Sequence, residues 1–506
     1  MSPGFSGSSN GVGPDPLIAR LHTDALTLVF LTAHEDAFAH NQKSALELPL
    51  TLTHVCRRWR ALALAQPRLW TNFFWSPRES VAAALAMLDR AAGAPLAMRV
   101  SLGASIPNPL SDAARAAGHV VFNAVLLHLW HTVELDLSFC ADTLESGHLT
   151  PLLFADVPYA MPRLRALRIS LNAIGYAVQD LPRLNLACPQ LASVALGAFR
   201  PRSLLGPATH LQMGGPMKVG ELRRALQRAP NLRSLSLLFC DLTPGDAEGP
   251  PFDHQPFALH LADLTTHSLT LSSMRALETL ELPLGRIQSV TTHTLFSNTP
   301  FSAAYDFLRV GELADVDTIS IALKSLSVST SAGLQRTFEG FDMSLSATCM
   351  QDLFHASPLL LTLRELTVGL EIWAEVLGVI VDTGATSLPR LEQFGMYVAE
   401  DDFSAADDDE EAVLRNGIFA PSLARIVVTL RGQQLPTRPL VRLFLLALGS
   451  VRSPAAPALP AGGITIAEDH RFRSDRVAVF SELLRDEIGA RIRPPGPSPD
   501  LPERSR

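Results

Sequence analysis

The fold class predicted by this chain is α+β overall: a small all-helical head followed by an irregular α/β solenoid. Three observations predict it. Near the amino terminus apolar residues recur at spacings of three and four, the mark of one face of a helix. Over the middle of the chain the pattern L-x-x-L-x-L, with aliphatic substitutions, recurs eight times. The length, 506 residues, exceeds the size at which a single compact core keeps growing, which favours several domains or a stacked array.

The head comes first in the chain. Ile18, Leu21, Ala25 and Leu28 predict one face of a helix running to about Leu31. Leu52, Val55, Trp59 and Leu62 predict a second helix between Pro49, tolerated near a helix start, and Pro67, which cannot continue one. Val81, Leu85, Leu88 and Ala92 mark a third, with Ser80 as its N-cap and Gly93 followed by Pro95 as its stop.

LHTDALTLVF, from Leu21 to Phe30, and VCRRW, from Val55 to Trp59, together resemble the two halves of an F-box, most closely that of fungal F-box proteins. In that group the second element runs on as a helix into Pro-Arg-Leu-Trp, as TLTHVCRRWRALALAQPRLW does here from Thr51 to Trp70. Weaker echoes follow at RAAGAPLAMRVSL and LLHLWHTVELDL. The chain departs from the pattern at His22, where the family has Pro, and at Asp24, where it has Glu. The resemblance implies docking onto the Skp adaptor of a cullin-RING ubiquitin ligase, with Leu21, Leu26, Phe30, Val55, Cys56 and Trp59 as adaptor-binding residues. As members of apolar stripes, Val55 and Trp59 are equally what a helical core requires.

The repeated units begin at Leu164, Leu191, Leu232, Leu277, Leu323, Leu363, Leu391 and Leu423, with a partial copy from Val133. Five follow a proline at the same offset: Pro162, Pro189, Pro230, Pro389 and Pro421. LRALRISLN and LRSLSLLFC extend to the fuller leucine-rich-repeat consensus, ending at Asn172 and Cys240. Each unit predicts a short strand with its leucines inward and a return segment, such as a helix from Val219 to Arg228. The spacings of 27, 41, 45, 46, 40, 28 and 32 residues mostly exceed the ~20–29 of a regular repeat, so insertions are expected to protrude, around Leu211 and from Asp241 to Pro256 for example. An ordinary α/β domain with accidentally similar strands is the competing expectation.

The organisation expected is a disordered leader at 1–16, the F-box-like domain at 17–75, a linker helix and start of the array at 76–129, and a leucine-rich-repeat-like solenoid at 130–450. A Pro/Ala/Gly linker at 451–463, a capping strand and helix at 464–490 and a disordered tail at 491–506 complete it. Residues between the leucines are expected to line the exposed face of the sheet. Arg168, Glu281, Tyr397 and Arg425 are its candidate target-binding residues, but most of the face is small or neutral, so inserted loops are expected to dominate recognition.

Eight of the 50 acidic residues lie between Glu400 and Glu411, leaving the rest of the chain with 42 of each sign, so nothing points to nucleic acid. That run does not match an EF-hand loop and reads as a solvated segment. No stretch has the ~18 apolar residues of a membrane span and the first residues have no secretory pattern, so an intracellular protein, cytoplasmic or nuclear, is expected. Cys56, Cys140, Cys188, Cys240 and Cys349 form neither a CxxC pair nor an even set. P-loop, GxGxxG, GxSxG and HExxH motifs are lacking, and the pair His128 and His131 has no further ligands by sequence. The expectation is a non-enzyme with no cofactor and no metal, whose partners are the Skp adaptor and a protein target.

Overall fold

The computed structural model describes residues 21–40, 42–102, 111–140, 159–172, 183–197, 199–201, 205–240, 242–243, 260–267, 271–278, 280, 282–293, 313, 315–322, 324–340, 351, 353–354, 359–398, 414, 417–431, 436–452, 464–468, 475–488 and 492–493. It is a mixed α/β structure whose strands are mostly parallel, in two compact units, 1–211 and 212–506. Among the described residues no helix is long and apolar enough to cross a membrane.

The first unit opens with helices α1 (Thr23–His40), α2 (Gln42–Val55) and α3 (Arg57–Ala65). Its inward stripe on α1 is Leu26, Phe30 and His34, spaced by four, whereas Leu21, Ala25 and Leu28 are exposed. The predicted face therefore points outward; Ile18 lies outside the described residues. Two helices replace the single one expected around Trp59, because Cys56 is extended (φ −156°, ψ 170°) and interrupts the helical backbone. Pro49 lies inside α2 rather than at its start.

The head is also not all helical. A 3-10 turn at Pro67–Trp70 leads into strand β1 (Asn72–Trp75), then α4 (Val81–Ala91) and β2 (Leu96–Ser101). Ser80 caps α4 as expected, accepting from the Ala83 N–H, and positive φ at Ala92 (45°) and Gly93 (80°) ends it. Helix α5 (Asp112–His128) precedes β3 (Thr132–Cys140), β4 (Ala166–Asn172) and β5 (Ser193–Gly197). These strands pair in chain order, all parallel, and the sheet begins at Asn72. The register aligns Phe73, Met98, Leu135, Leu167 and Val194 in one buried row and Trp75, Val100, Leu137, Ile169 and Leu196 in another. Alternate residues on successive strands thus share one core, as the pleat requires.

In the second unit α6 (Val219–Gln227) precedes β6 (Ser234–Leu238), β7 (Asp263–His267), α7 (Leu271–Glu278) and β8 (Ser289–His293). There follow β9 (Val316–Ala322), β10 (Ser325–Thr330), β11 (Gln335–Glu339), β12 (Glu365–Gly369) and α8 (Trp373–Asp382). Next come β13 (Gln393–Val398), β14 (Arg425–Leu430), α9 (Arg438–Gly449), β15 (Ile464–Glu468) and α10 (Asp475–Ile488), after which Ile492–Arg493 pairs with β15. The spatial order is β6-β7-β8-β11-β10-β9-β12-β13-β14-β15, and only β10 runs antiparallel to its neighbours.

Leu164, Leu191, Leu232, Leu363, Leu391 and Leu423 are all buried two residues ahead of a parallel strand, and the five shared prolines stand in turns. Two copies behave differently. Leu277 lies in the last turn of helix α7, where Ser273, Met274, Ala276 and Leu277 are buried at helical spacing, so no strand starts there. The copy at Leu323 becomes the antiparallel β10, and Leu323 itself lies outside the described residues. Strands β7, β8, β9 and β11 carry no leucine motif. The segment around Leu211, expected to protrude, is a strand, His210–Gly214, with Leu211 and Met213 buried. In α10, Val477, Phe480 and Leu484 are buried on one face.

Candidate docking surfaces

The corner between α2 and α3 is built by Cys56. Its Sγ accepts from the Trp59 N–H at 3.4 Å, which caps α3 and turns Trp59 onto Phe30, ring centroids 4.8 Å apart. The Arg58 guanidinium donates to the Leu21 carbonyl, and Arg60 Nε donates to the Thr53 carbonyl at 2.7 Å, so both side chains clasp the neighbouring helices. Trp70 seals the base: fully buried, it donates from Nε1 to the Ala63 carbonyl at 2.9 Å and carries the Arg90 guanidinium 4.8 Å from its ring centre.

The six adaptor-binding candidates divide. Leu21, Val55 and Cys56 are exposed, Val55 at 54%; Trp59 is half-buried; Leu26 (0%) and Phe30 (2%) are core. The surface instead gains Leu28 (65%), Val29, Leu50 and Leu64. Of the thirteen exposed large apolar residues among those described, six lie between Leu21 and Leu64, a concentration beyond the scattered exposure normal for a surface. Leu28 and Val29 lie on α1, where only the packing of Leu26 and Phe30 settles which side is outward.

Thiol chemistry makes Cys56 an unusual cap, since sulfur is a weak acceptor. Cys56→Ser should strengthen it and raise the denaturation midpoint, while Cys56→Ala should cost about 1 kcal/mol; equal midpoints for the two variants would mean that the cap carries no energy.

The second surface is the outward side of the sheet. In the 212–506 unit Ser236, Thr265, Thr291, Thr337, Ser327, Ser320 and Thr367 align in one row across seven strands, all half-buried. Beyond them come Gly395, Val427 and Thr465. Of the target-binding candidates, Arg168 belongs to the first unit and Tyr397 and Arg425 to the second. Arg168 is exposed on β4, between Asp136 and Ala195 in register. Tyr397 reaches Ser320 Oγ at 3.2 Å under the Arg431 guanidinium, 3.7 Å from its ring centre. Arg425 is exposed beside Gln393, four residues back on the neighbouring strand, and Glu281 lies outside the described residues, as does the acidic run 400–411.

No protein-family model matches this chain. No curated protein matches it either. The described residues contain no group of three or more His, Cys, Asp or Glu placed to hold a metal ion. His131 is fully buried and bonds the Ala94 carbonyl through Nδ1 at 2.5 Å and His128 Nδ1 through Nε2 at 3.0 Å, a structural pairing. Burial and then His131 hold His128 below the ordinary histidine value. Burial pushes the Cys188 thiol up to about 12, so it has little thiolate for nucleophilic work at neutral pH.

Proposed function

We propose that the chain is the substrate-recognition adaptor of an SCF-type cullin-RING ubiquitin ligase: an F-box-like head docks the Skp adaptor, and a degenerate leucine-rich-repeat solenoid holds a protein target. The observation that carries this reading is the VCRRW element folded as an outward corner, with Val55 and Cys56 exposed alongside Leu21 and four exposed apolar residues on three helices. A helix surface of that kind is costly to leave in water and gains by burial against a partner, at about 25 cal/mol per Å². The parallel strands, paired in chain order through the first unit, support the solenoid. In this reading the protein supplies proximity and orientation and no reacting group.

The second reading is an interaction scaffold without ligase association. It is favoured by His22 and Asp24, which replace the family's Pro and Glu and pair with each other at 3.4 Å, both exposed.

Retention of purified Skp adaptor on the immobilised full-length chain tests the proposal. Wild type is expected to retain it, and Leu28→Asp with Val55→Asp to lose at least ~90% of it. Both positions are exposed, so the charges are solvated and circular dichroism should be unchanged. A folded wild type that retains no adaptor leaves only the scaffold reading.

A further inference from the structure

We propose that His267, His293 and Glu339 form a single-proton switch on the outward face of the sheet in the 212–506 unit. The three are the last residues of β7, β8 and β11 and are aligned in register across adjacent strands. The imidazole rings stack face to face, 4.2 Å between centroids and 4° from parallel. His293 Nδ1 stands 2.8 Å from Glu339 Oε2, so it donates to the carboxylate, which fixes the tautomer of the neutral ring.

This geometry admits one proton readily and opposes a second. The carboxylate can neutralise a single imidazolium, the one it touches. A second imidazolium on His267 would lie against the first at stacking distance, where like charges repel strongly. Burial, then His293, holds His267 below the ordinary histidine value, with Glu339 acting in the opposite direction. Other described groups around the row are Leu238 beside His267, Ser325 beside Glu339, and Asp263 and Gln335 four residues back along β7 and β11. Lys324 precedes Ser325, and Arg336 points to the opposite, buried side. The row therefore carries one negative charge with both rings neutral and none after the first proton. A partner lying on this stretch meets a net negative charge in neutral solution and, in mild acid, an imidazolium–carboxylate pair of no net charge beside a neutral ring. The inference does not depend on the ligase reading.

The linkage sign follows from His267. Its folded value is lowered, so nothing is lost above the ordinary histidine value; as pH falls through it the unfolded chain binds the proton first and stability declines. Carbon-13 NMR titration of the imidazoles in the full-length chain tests the switch, with peaks assigned by His267→Gln and His293→Gln. The stacked pair is expected to take up its two protons in separate steps at least about one pH unit apart, a tenfold difference in proton affinity. Glu339→Gln should lower the His293 midpoint, and Glu339→Asp should restore part of it. His293→Gln should raise that of His267. Equal midpoints for the two rings, or a Glu339→Gln variant that moves neither, would overturn the proposal.

Discussion

Replacing Arg336 with alanine is expected to cost the 212–506 unit about 4 kcal/mol, because it uncovers three carbonyls and opens a cavity at once. Arg336 is 1% exposed and occupies an inward position of β11, in a row otherwise made of Leu235, Leu264, Val290, Val328, Ile319, Leu366, Phe394, Ile426 and Ile464. The guanidinium spans to the turn ahead of β8. Nη1 donates to the Ile287 carbonyl at 3.1 Å and to Gln335 at 2.7 Å, and Nη2 donates to the Leu284 carbonyl at 2.7 Å. Burial lowers its pKa from the usual arginine value, a sign of how much hydration the charge has given up. Charge-assisted bonds to carbonyls are the compensation, each contributing roughly 1.5–3 kcal/mol. Arg336→Met restores volume without donors and should cost about half as much. Urea denaturation followed by circular dichroism reads both; an unchanged midpoint in Arg336→Ala would show that the turn holds without the clamp.

Trp70→Ala is expected to destabilise the head by about 4 kcal/mol and to abolish adaptor retention by loosening it. Trp70 is buried completely between α3, whose Ala63 carbonyl it caps, and α4, whose Arg90 covers its ring. Loss of the indole removes a large apolar volume, the cation–π contact and the only donor it offers that carbonyl. Trp70→Phe keeps most of the volume and should lose about 1–2 kcal/mol. Tryptophan-independent probes, such as far-ultraviolet circular dichroism and limited proteolysis of the head, read the difference. A Trp70→Ala head as resistant to protease as wild type would contradict the packing described.

Sequence reading succeeded where local chemistry decides structure. Ser80 before Val81 and Gly93 after it fixed α4, because a hydroxyl cap and a left-handed stop act within one turn. The leucines at 164, 191, 232, 363, 391 and 423 marked strands because each sits just inside the core before the chain extends. Reading failed where distant partners decide. LETLEL has the same letters as the other units, yet Met274 and Leu277 pack as a helix, while DLTTH and SVTTH carry no leucine motif although they form strands in which Thr266 and Thr292 are buried and share a 3.1 Å hydroxyl bond. A buried threonine pair satisfies itself across strands, and no one-strand pattern reveals it. Arg336 eluded reading for the same reason: a charge in a strand suggests the outward face until the carbonyls that receive it are known. Of the docking surface, the order of Val55, Cys56 and Trp59 was legible, whereas the phase of α1 was not.

In the proposed role the head, and not the sheet, meets the Skp adaptor. Hydrogen–deuterium exchange of the full-length chain, with and without saturating adaptor, tests it most directly. Slowed exchange confined to peptides covering 21–33 and 47–65, with the sheet unchanged, is the result expected. Equal exchange across both peptides at saturation, or protection found only in strands such as β12 and β13, would contradict it.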